Sequence, residues 1–354
     1  MKICFLVHDI NSKNGGGRFA HDLIYGVKNA GHEVIILKEE DDGFEGVTVL
    51  NRGLKLLNSA LKIRRYIKNC DVIHALDGYP YGIIAALANL TLKKKLIISV
   101  QGSYSIAPLY NWKIATLLKW AYQRADYMTA ISSYTKNELF KKVRPKNITI
   151  INHGVNLEKF HKPHLEIDEK FILSVGAIKP RKGYHYSIPA FSVVSKEIKG
   201  LKYKIVGDGS DKKYLAKLEG IAKKLGIEND IEFVNGLAEE ELINLYQKAK
   251  IFVLTSININ HHFEGFGLVF LEAAAAGTPS IGTKGNGIED AIKDGYSGIL
   301  VPQNDIGSVA EAMRKILKSE KSRSEMSLNS FKWAFDHDLK NTVRNYLSLY
   351  QKVL

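Results

Sequence analysis

A short, uninterrupted apolar run followed by an amphipathic stretch recurs along the chain, and this alternation constrains the fold more than any other feature. Ile3-Cys4-Phe5-Leu6-Val7 and Leu96-Ile97-Ile98-Ser99-Val100 are typical: too short for core helices, and apolar on successive residues instead of alternate ones. Strands of that kind are buried on both faces, so they belong in a parallel sheet covered by helices. In the first half the runs fall at 3–7, 34–37, 72–74, 96–100, 127–130 and 148–150. Residues 154–170 mix Gly, Asn, Pro and charge and read as a linker. The alternation restarts at 171–176 and continues at 203–207, 231–233, 251–254 and 279–282, with helices over 211–225, 239–249 and 268–276. We expect an α/β chain with two doubly wound domains, over 1–160 and 161–335, facing a central cleft. A chain of 354 residues suits two domains at roughly 150 residues each. The tail from about 305 reads as helical throughout, and 336–354 is expected to pack back on the N-terminal domain.

Charge is unevenly spread. Residues 1–160 hold 23 of the 50 Lys/Arg but only 13 of the 37 Asp/Glu, so most of the formal excess of +13 sits in the first half. Such a field favours nucleic acid, anionic lipid or phosphorylated substrates without choosing among them. From Gly46 to Cys70 there is no acid, while Arg52, Lys55, Lys62, Arg64, Arg65 and Lys68 interleave with Leu54, Leu56, Leu57, Leu61, Ile63 and Ile67. This is a basic amphipathic helix that either packs on the sheet with a solvated face or lies on anionic headgroups. Lys93-Lys94-Lys95, Trp112 and Trp120 add candidate contacts. No run of about 18 apolar residues occurs. The first apolar run is cut off by His8 and Asp9, too early for a signal peptide. Cys4 and Cys70 flank apolar runs and read as buried thiols instead of a disulfide framework. The expected location is cytoplasmic, or peripheral on the cytoplasmic face of the membrane.

The most specific string is Glu264-Gly265-Phe266-Gly267-Leu268-Val269-Phe270-Leu271-Glu272, continuing through four alanines to Gly277-Thr278-Pro279. Two glutamates so spaced on one helix would be about 12 Å apart along its axis. The glycines instead put Glu264 in a loop and Glu272 on a helix beginning near Gly267. The first turn of that helix offers unpaired N–H groups and a partial positive charge, suited to a diphosphate. Gly265 and Gly267 let the backbone approach a ligand closely. An isolated pair of glutamates at this spacing is ordinarily a cap and a solvated side chain. The Gly-Phe-Gly, the alanine face and the Gly-Thr-Pro make the string far more specific.

At these residues the sequence resembles the family-four retaining glycosyltransferases (glycosyl transferases group 1), which have the GT-B fold of two Rossmann-like domains. The resemblance covers nearly the whole chain. It implies transfer of a sugar, with retained configuration, from a nucleotide-sugar donor (UDP-, GDP- or ADP-linked), without a cofactor or bound metal. It implies that Glu264 contacts donor-sugar hydroxyls, that Glu272 accepts hydrogen bonds from the ribose, and that the amides of Phe266, Gly267 and Leu268 face sugar and phosphates. In this fold the N-terminal domain receives the acceptor, here a sugar, lipid-linked or otherwise anionic acceptor, with an anionic membrane surface as a further partner.

Other strand ends carry candidate residues. Gly176-Ala177-Ile178-Lys179-Pro180-Arg181-Lys182-Gly183 puts two adjacent cations after a strand, able to clamp a diphosphate that gains charge as the sugar leaves. It resembles the family's phosphate-binding stretch. Many members have Arg directly after the first glycine, where this chain has Ala177, so Arg181 stands in for that charge beside Lys182. Val206-Gly207-Asp208-Gly209 is a tight strand-to-helix turn, near the nucleotide by resemblance or simply a packing turn. Asn235-Gly236-Leu237 resembles the loop whose backbone reads the nucleobase, which leaves the base unspecified. Gly15-Gly16-Gly17 follows His8 and Asp9; it resembles the family's N-terminal Gly-Gly loop or is merely a flexible loop. Without a full G-x-G-x-x-G it is no nicotinamide fingerprint.

Departures from the family are informative. Gln101 stands where many relatives have a His that helps hold the donor sugar; it can hydrogen-bond but cannot titrate. Asn286-Gly287-Ile288-Glu289-Asp290 replaces the usual Gly-Gly-x-x-Glu, with Asp290 aligning best with the acid. Asp336-His337-Asp338 fits the Asp-x-Asp of metal-dependent sugar transferases, but its place in the tail reads as surface charge. Rival readings are a nucleotide-sugar epimerase or a sucrose/trehalose-type synthase, and a non-catalytic basic module for RNA. The chain lacks aromatic ribonucleoprotein motifs, so no nucleic acid is expected.

Overall fold

The computed structural model describes residues 1–11, 15–160 and 169–354. Asn14, just before the glycine triplet, and 161–168 of the expected linker lie outside the described residues. The chain divides into two compact units, Met1–His153 with Leu339–Leu354, and Gly154–Asp338.

The first unit is built on seven parallel strands: β1 (Lys2–Val7), β2 (Glu33–Lys38), β3 (Val47–Thr48), β4 (Val72–Ala75), β5 (Lys95–Val100), β6 (Tyr127–Ala130) and β7 (Ile148–Ile150). Their order is β3-β2-β1-β4-β5-β6-β7. β1 and β4 are buried on both faces throughout or nearly so, as strands covered on both sides require, with His74 the one polar side chain of β4. β3 was not foreseen. It is an exposed two-residue edge that pairs only with Leu37 and Lys38, too short to leave a pattern.

The glycine triplet corrects a second expectation. Gly15, Gly16 and Gly17 do not form a loop; they are the first turn of the helix Gly15–Asn29. At Gly17 an added Cβ would lie 2.1 Å from Asp9 Oδ1 and 2.3 Å from the Asn11 carbonyl oxygen. The glycine is there so that the helix can start against the residues leaving β1.

The tail is three helices, Ile306–Leu317, Glu320–Asp336 and Leu339–Val353. The last belongs to the first unit, where Tyr346 and Tyr350 are buried in the core. His74 links it to the sheet: one ring nitrogen bonds the Tyr350 hydroxyl and the other Ser99 Oγ, both at 2.8 Å. Ser99 in turn bonds Thr129 at 2.7 Å. Burial pushes His74 down to about 3, so the imidazole stays neutral inside this network.

The second unit has six parallel strands: β8 (Phe171–Val175), β9 (Lys202–Val206), β10 (Ile231–Val234), β11 (Ile251–Val253), β12 (Ser280–Thr283) and β13 (Gly298–Val301). The order is β10-β9-β8-β11-β12-β13. β13 was also missed; it opens on Gly298 and is stopped by Pro302, leaving an apolar run below the usual strand length. Both sheets are doubly wound, and each reverses direction once, between β1 and β4 and between β8 and β11. Ligands of such sheets bind outside the carboxyl ends of the strands at that reversal. Cys4 and Cys70 are free and buried. Among the described residues no helix is long and apolar enough to cross a membrane.

Candidate active site

In the second unit, the segments leaving β8 and β11 meet at the reversal point. Pro180–Lys182 forms a single 3-10 turn, and Gly183 then takes φ +73° to start the helix Tyr184–Ser195. A side chain at Gly183 would put its Cβ 1.8 Å from the Thr255 carbonyl oxygen, so only glycine allows this approach. Two hydrogen bonds stitch the segments together: Thr255 Oγ1 donates to Gly183 O, and Ile257 N to Arg181 O, each at 2.8 Å.

This stitching brings Arg181, Lys182 and Glu264 into contact. Glu264 Oε2 accepts from Lys182 Nζ at 2.6 Å, Arg181 Nη1 at 3.1 Å and Ser256 Oγ at 3.2 Å. The glutamate side chain is only 13% exposed. Burial by itself raises the carboxyl, but the charges of Lys182 and Arg181 and the bonds from Lys182 and Ser256 outweigh it and hold the group at about 2. The cluster therefore pairs two cations with one permanent anion. The surplus positive charge suits a phosphate, whose oxygens accept charge-assisted hydrogen bonds.

The chain on either side is fixed by backbone bonds. Gly287 N donates to Glu264 O at 2.9 Å. Asn286, fully buried, donates to Thr283 Oγ1 and accepts from Ile288 N. Thr283 donates to the Ser256 carbonyl, so the Asn-Gly-Ile segment braces the Glu264 loop from below β12. Glu289 accepts from Gly285 N, a turn contact within the same segment.

Glu272 lies on the helix Leu268–Ala275, whose cap residue Gly267 has φ +86°. The expected helix start near Gly267 is observed. Phe266 is buried, while Gly265, Gly267 and Leu268 are partly exposed. Glu272 is 5% exposed and accepts from the Tyr246 hydroxyl at 2.9 Å. Gly176 N donates to Val206 O and Gly207 N to Val234 O, both at 2.9 Å, which aligns the ends of β8, β9 and β10. Asn235 and Gly236 form an exposed turn after β10.

Gln101, Gly16 and Gly17 belong to the first unit. Gly16 is exposed and Gly17 buried. Gln101 Oε1 meets His153 Nε2 at 2.9 Å, and His153 stacks on Phe19 with centroids 3.9 Å apart. Burial pushes His153 down to about 3, so it stays neutral and donates from Nε2 to the amide oxygen. Sequence reasoning missed His153, Tyr246 and Ser256. Two of these had a readable signal: Thr255-Ser256 and Asn152-His153 follow directly on apolar runs, where polar residues at strand ends are candidates for a site.

Asp336-His337-Asp338 falls at the break between two helices. His337 Nδ1 bonds the Trp333 carbonyl at 2.9 Å, and Asp338 forms a bridge with Val155. Among the described residues no group of three or more His, Cys, Asp or Glu could hold a metal ion.

The family model described as glycosyl transferases group 1 matches residues 156–333, and that described as glycosyltransferase family 4 matches 13–159. The chain belongs to the group 1 glycosyl transferases. This glycosyl transferase is similar to an uncharacterized glycosyltransferase of Methanocaldococcus jannaschii, with 26% identity over 324 residues, 89% of this chain and 87% of the relative. It is 25% identical to the glycogen synthase of Mycobacterium tuberculosis over 350 residues, 86% of this chain and 82% of that one. Its fold is that of Anabaena HepE, solved in complex with UDP, with a TM-score of 0.85 at 18% identity, covering 99% of this chain and 100% of that one. The two Rossmann-like units are thus the GT-B architecture.

Proposed function

We propose that this glycosyl transferase moves a sugar from a nucleotide-sugar donor to an acceptor hydroxyl with retention at the anomeric carbon, the second unit holding the donor and the first the acceptor. The observation that carries this reading is the Arg181–Lys182–Glu264 cluster at the β8/β11 reversal. Arg181 and Lys182 hold the diphosphate, joined by the amides of Phe266, Gly267 and Leu268 leading into the helix Leu268–Ala275. Gly207 and the Asn235-Gly236 turn flank the nucleotide, and Glu272, steadied by Tyr246, accepts from the ribose. Glu264 accepts hydrogen bonds from sugar hydroxyls. A carboxyl held at about 2 is ionised at neutral pH, so it has no proton to give and acts only as an acceptor.

In the reaction the bond between the anomeric carbon and the phosphate oxygen breaks as the bond to the acceptor oxygen forms on the same face. The acceptor proton passes to the departing phosphate oxygen. The two cations stabilise the charge that accumulates there, an interaction stronger in the transition state than before it. Gln101, held by neutral His153, can hydrogen-bond but not titrate, and takes no part in proton transfer. The UDP complex of HepE supports a nucleoside diphosphate as the group recognised. The excess cations of the first unit favour an anionic or lipid-linked acceptor.

A thermal-shift panel of UDP-, GDP- and ADP-sugars tests the reading. At least one donor should raise the melting temperature by about 2 °C or more at saturating concentration. No shift with any of them would overturn it. Proton NMR of the product formed with the active donor then reports the anomeric configuration.

A further inference from the structure

Cys4 and Cys70, far apart in sequence, meet in the first unit. Cys4 is in β1 and Cys70 stands two residues before β4. β1 and β4 are neighbours, with Ile3 opposite Val72 and Cys4 opposite Ile73. The entry to β4 is tied to the start of β1 in both directions: Asp71 N donates to Lys2 O, and Lys2 N to Asp71 Oδ2, each at 2.8 Å. With the chain fixed in this way, the Cys4 thiol donates a hydrogen bond to the Cys70 sulfur. The Cys70 thiol donates to the Tyr66 carbonyl at 3.4 Å. Both thiols are free.

The surroundings of the two sulfurs differ. Cys4 lies between Ile3 and Phe5 inside the sheet, and all three are fully buried. Its bond to Cys70, together with burial, pushes its thiol up. Cys70 is buried too, but Asn69 and Asp71 on either side of it are exposed, so it lies just beneath the surface. The bond from Cys4 and the charges of Lys2 and Lys94 hold the Cys70 thiol below its ordinary value, against burial and the charge of Asp71. The two lysines stand at the amino ends of β1 and β5. A sulfur that ionises readily beside cations, with a second thiol in contact, has the parts of an attacking and resolving pair.

We propose that Cys4 and Cys70 form a reversible disulfide when the protein meets a peroxide, with Cys70 as the attacking sulfur and Cys4 as the resolving one. The Cys70 thiolate attacks one peroxide oxygen; the O–O bond breaks, hydroxide leaves and Cys70 becomes a sulfenic acid. The Cys4 sulfur then attacks the Cys70 sulfur, and the sulfenic hydroxyl leaves with the Cys4 proton as water. The proton first lost by Cys70 turns the hydroxide into a second water. Two thiols give up two electrons, and the peroxide takes them. Hydrogen peroxide, close to water in size, suits a sulfur with no exposed surface better than a bulky disulfide does. The new bond ties β1 to the chain entering β4, toward the amino ends of the strands and away from the edge where such sheets bind ligands.

The test needs neither donor nor acceptor, so it stands apart from the transfer reaction. The full chain is reduced, freed of reductant, treated with hydrogen peroxide, then denatured and alkylated with N-ethylmaleimide, and its cysteine peptides are followed by mass spectrometry. Protein kept from peroxide should take the label at both cysteines. Treated protein should take it at neither, should yield one cross-linked peptide lighter by two hydrogens than its two thiol parts, and should regain both labels after dithiothreitol. The oxidised form should melt about 3 °C or more above the reduced one, because the ring closed from 4 to 70 restricts the unfolded chain. Cys4→Ser should leave Cys70 as a sulfenic acid that dimedone captures, and Cys70→Ser should leave Cys4 a thiol. Full labelling of both cysteines after peroxide overturns the proposal. So does a sulfenic acid captured at Cys4 in place of Cys70, or a disulfide that joins two chains through Cys70 in place of one within the chain.

Discussion

At the β8/β11 reversal two cations converge on a single carboxylate, whereas at the β1/β4 reversal carboxylates gather around a single arginine. Glu39, just after β2, accepts from Arg52 Nε at 2.6 Å and from the Tyr81 hydroxyl, and it contacts His8 Nδ1 at 3.1 Å. Asp77, two residues after β4, is pushed up to about 6 by burial, against the opposing bonds from Ser105 and Gly78. Glu264 is held at about 2. The topology is the same at both edges and sets where a site forms; the loops set its charge. One edge carries surplus positive charge around a carboxylate, the other carboxylates beside an arginine.

The largest expected effect breaks the comparison at its cationic end. Lys182→Ala should lower kcat/KM with the active donor by about 10²-fold, the usual cost of removing one transition-state donor. Arg181→Ala, whose contact to Glu264 is longer, should cost less. Steady-state kinetics on folded protein checks both, and wild-type turnover in Lys182→Ala would remove the lysine from the reaction.

A smaller effect belongs to the first unit alone. Tyr350→Phe strands a buried ring nitrogen of His74 and should lower that unit's stability by about 1–3 kcal/mol in denaturant titrations. Donor affinity should not change.

The smallest effects sharpen the contrast through pH. Glu264 has a lower pKa folded than its ordinary 4.5, so its ionised form stabilises the second unit above that value. That contribution is lost as pH falls from there through about 2, and Glu264→Gln should lack this loss. Asp77 has the opposite sign. Its folded pKa is raised from 3.8, so the unfolded chain ionises first and stability falls as pH rises from 3.8 through about 6. Neutral His74 and His153 act the other way below pH 6.5, so the readout is the difference between wild type and Asp77→Asn. Unfolding titrations across pH 3 to 7 should show that difference growing as pH rises; a flat difference would refute the assignment for Asp77.

How much of this was legible in sequence follows from what each feature depends on. Strands buried on both faces announce themselves, which is why most of both sheets could be read. β3 and β13 could not, because an exposed two-residue edge and a run bounded by Gly298 and Pro302 carry little pattern. The helical start at Gly15–Gly17 was hidden because its cause, the approach of Asp9, is a tertiary contact. Arg181, Lys182 and Glu264 were each visible as residues of interest. Their mutual contact was not, since only the strand reversal brings together segments more than 80 positions apart. The pairings of Glu272 with Tyr246 and of Gln101 with His153 were invisible for the same reason.

Capture of a diphosphate by Arg181 and Lys182 is tested most directly by calorimetric titration of UDP, GDP and ADP, with the corresponding nucleosides as controls, into wild type and Arg181→Ala/Lys182→Ala. One diphosphate should bind the wild type and lose about tenfold or more in affinity in the double variant, while its weaker nucleoside binds both proteins equally. Equal diphosphate affinity in the two proteins would contradict it.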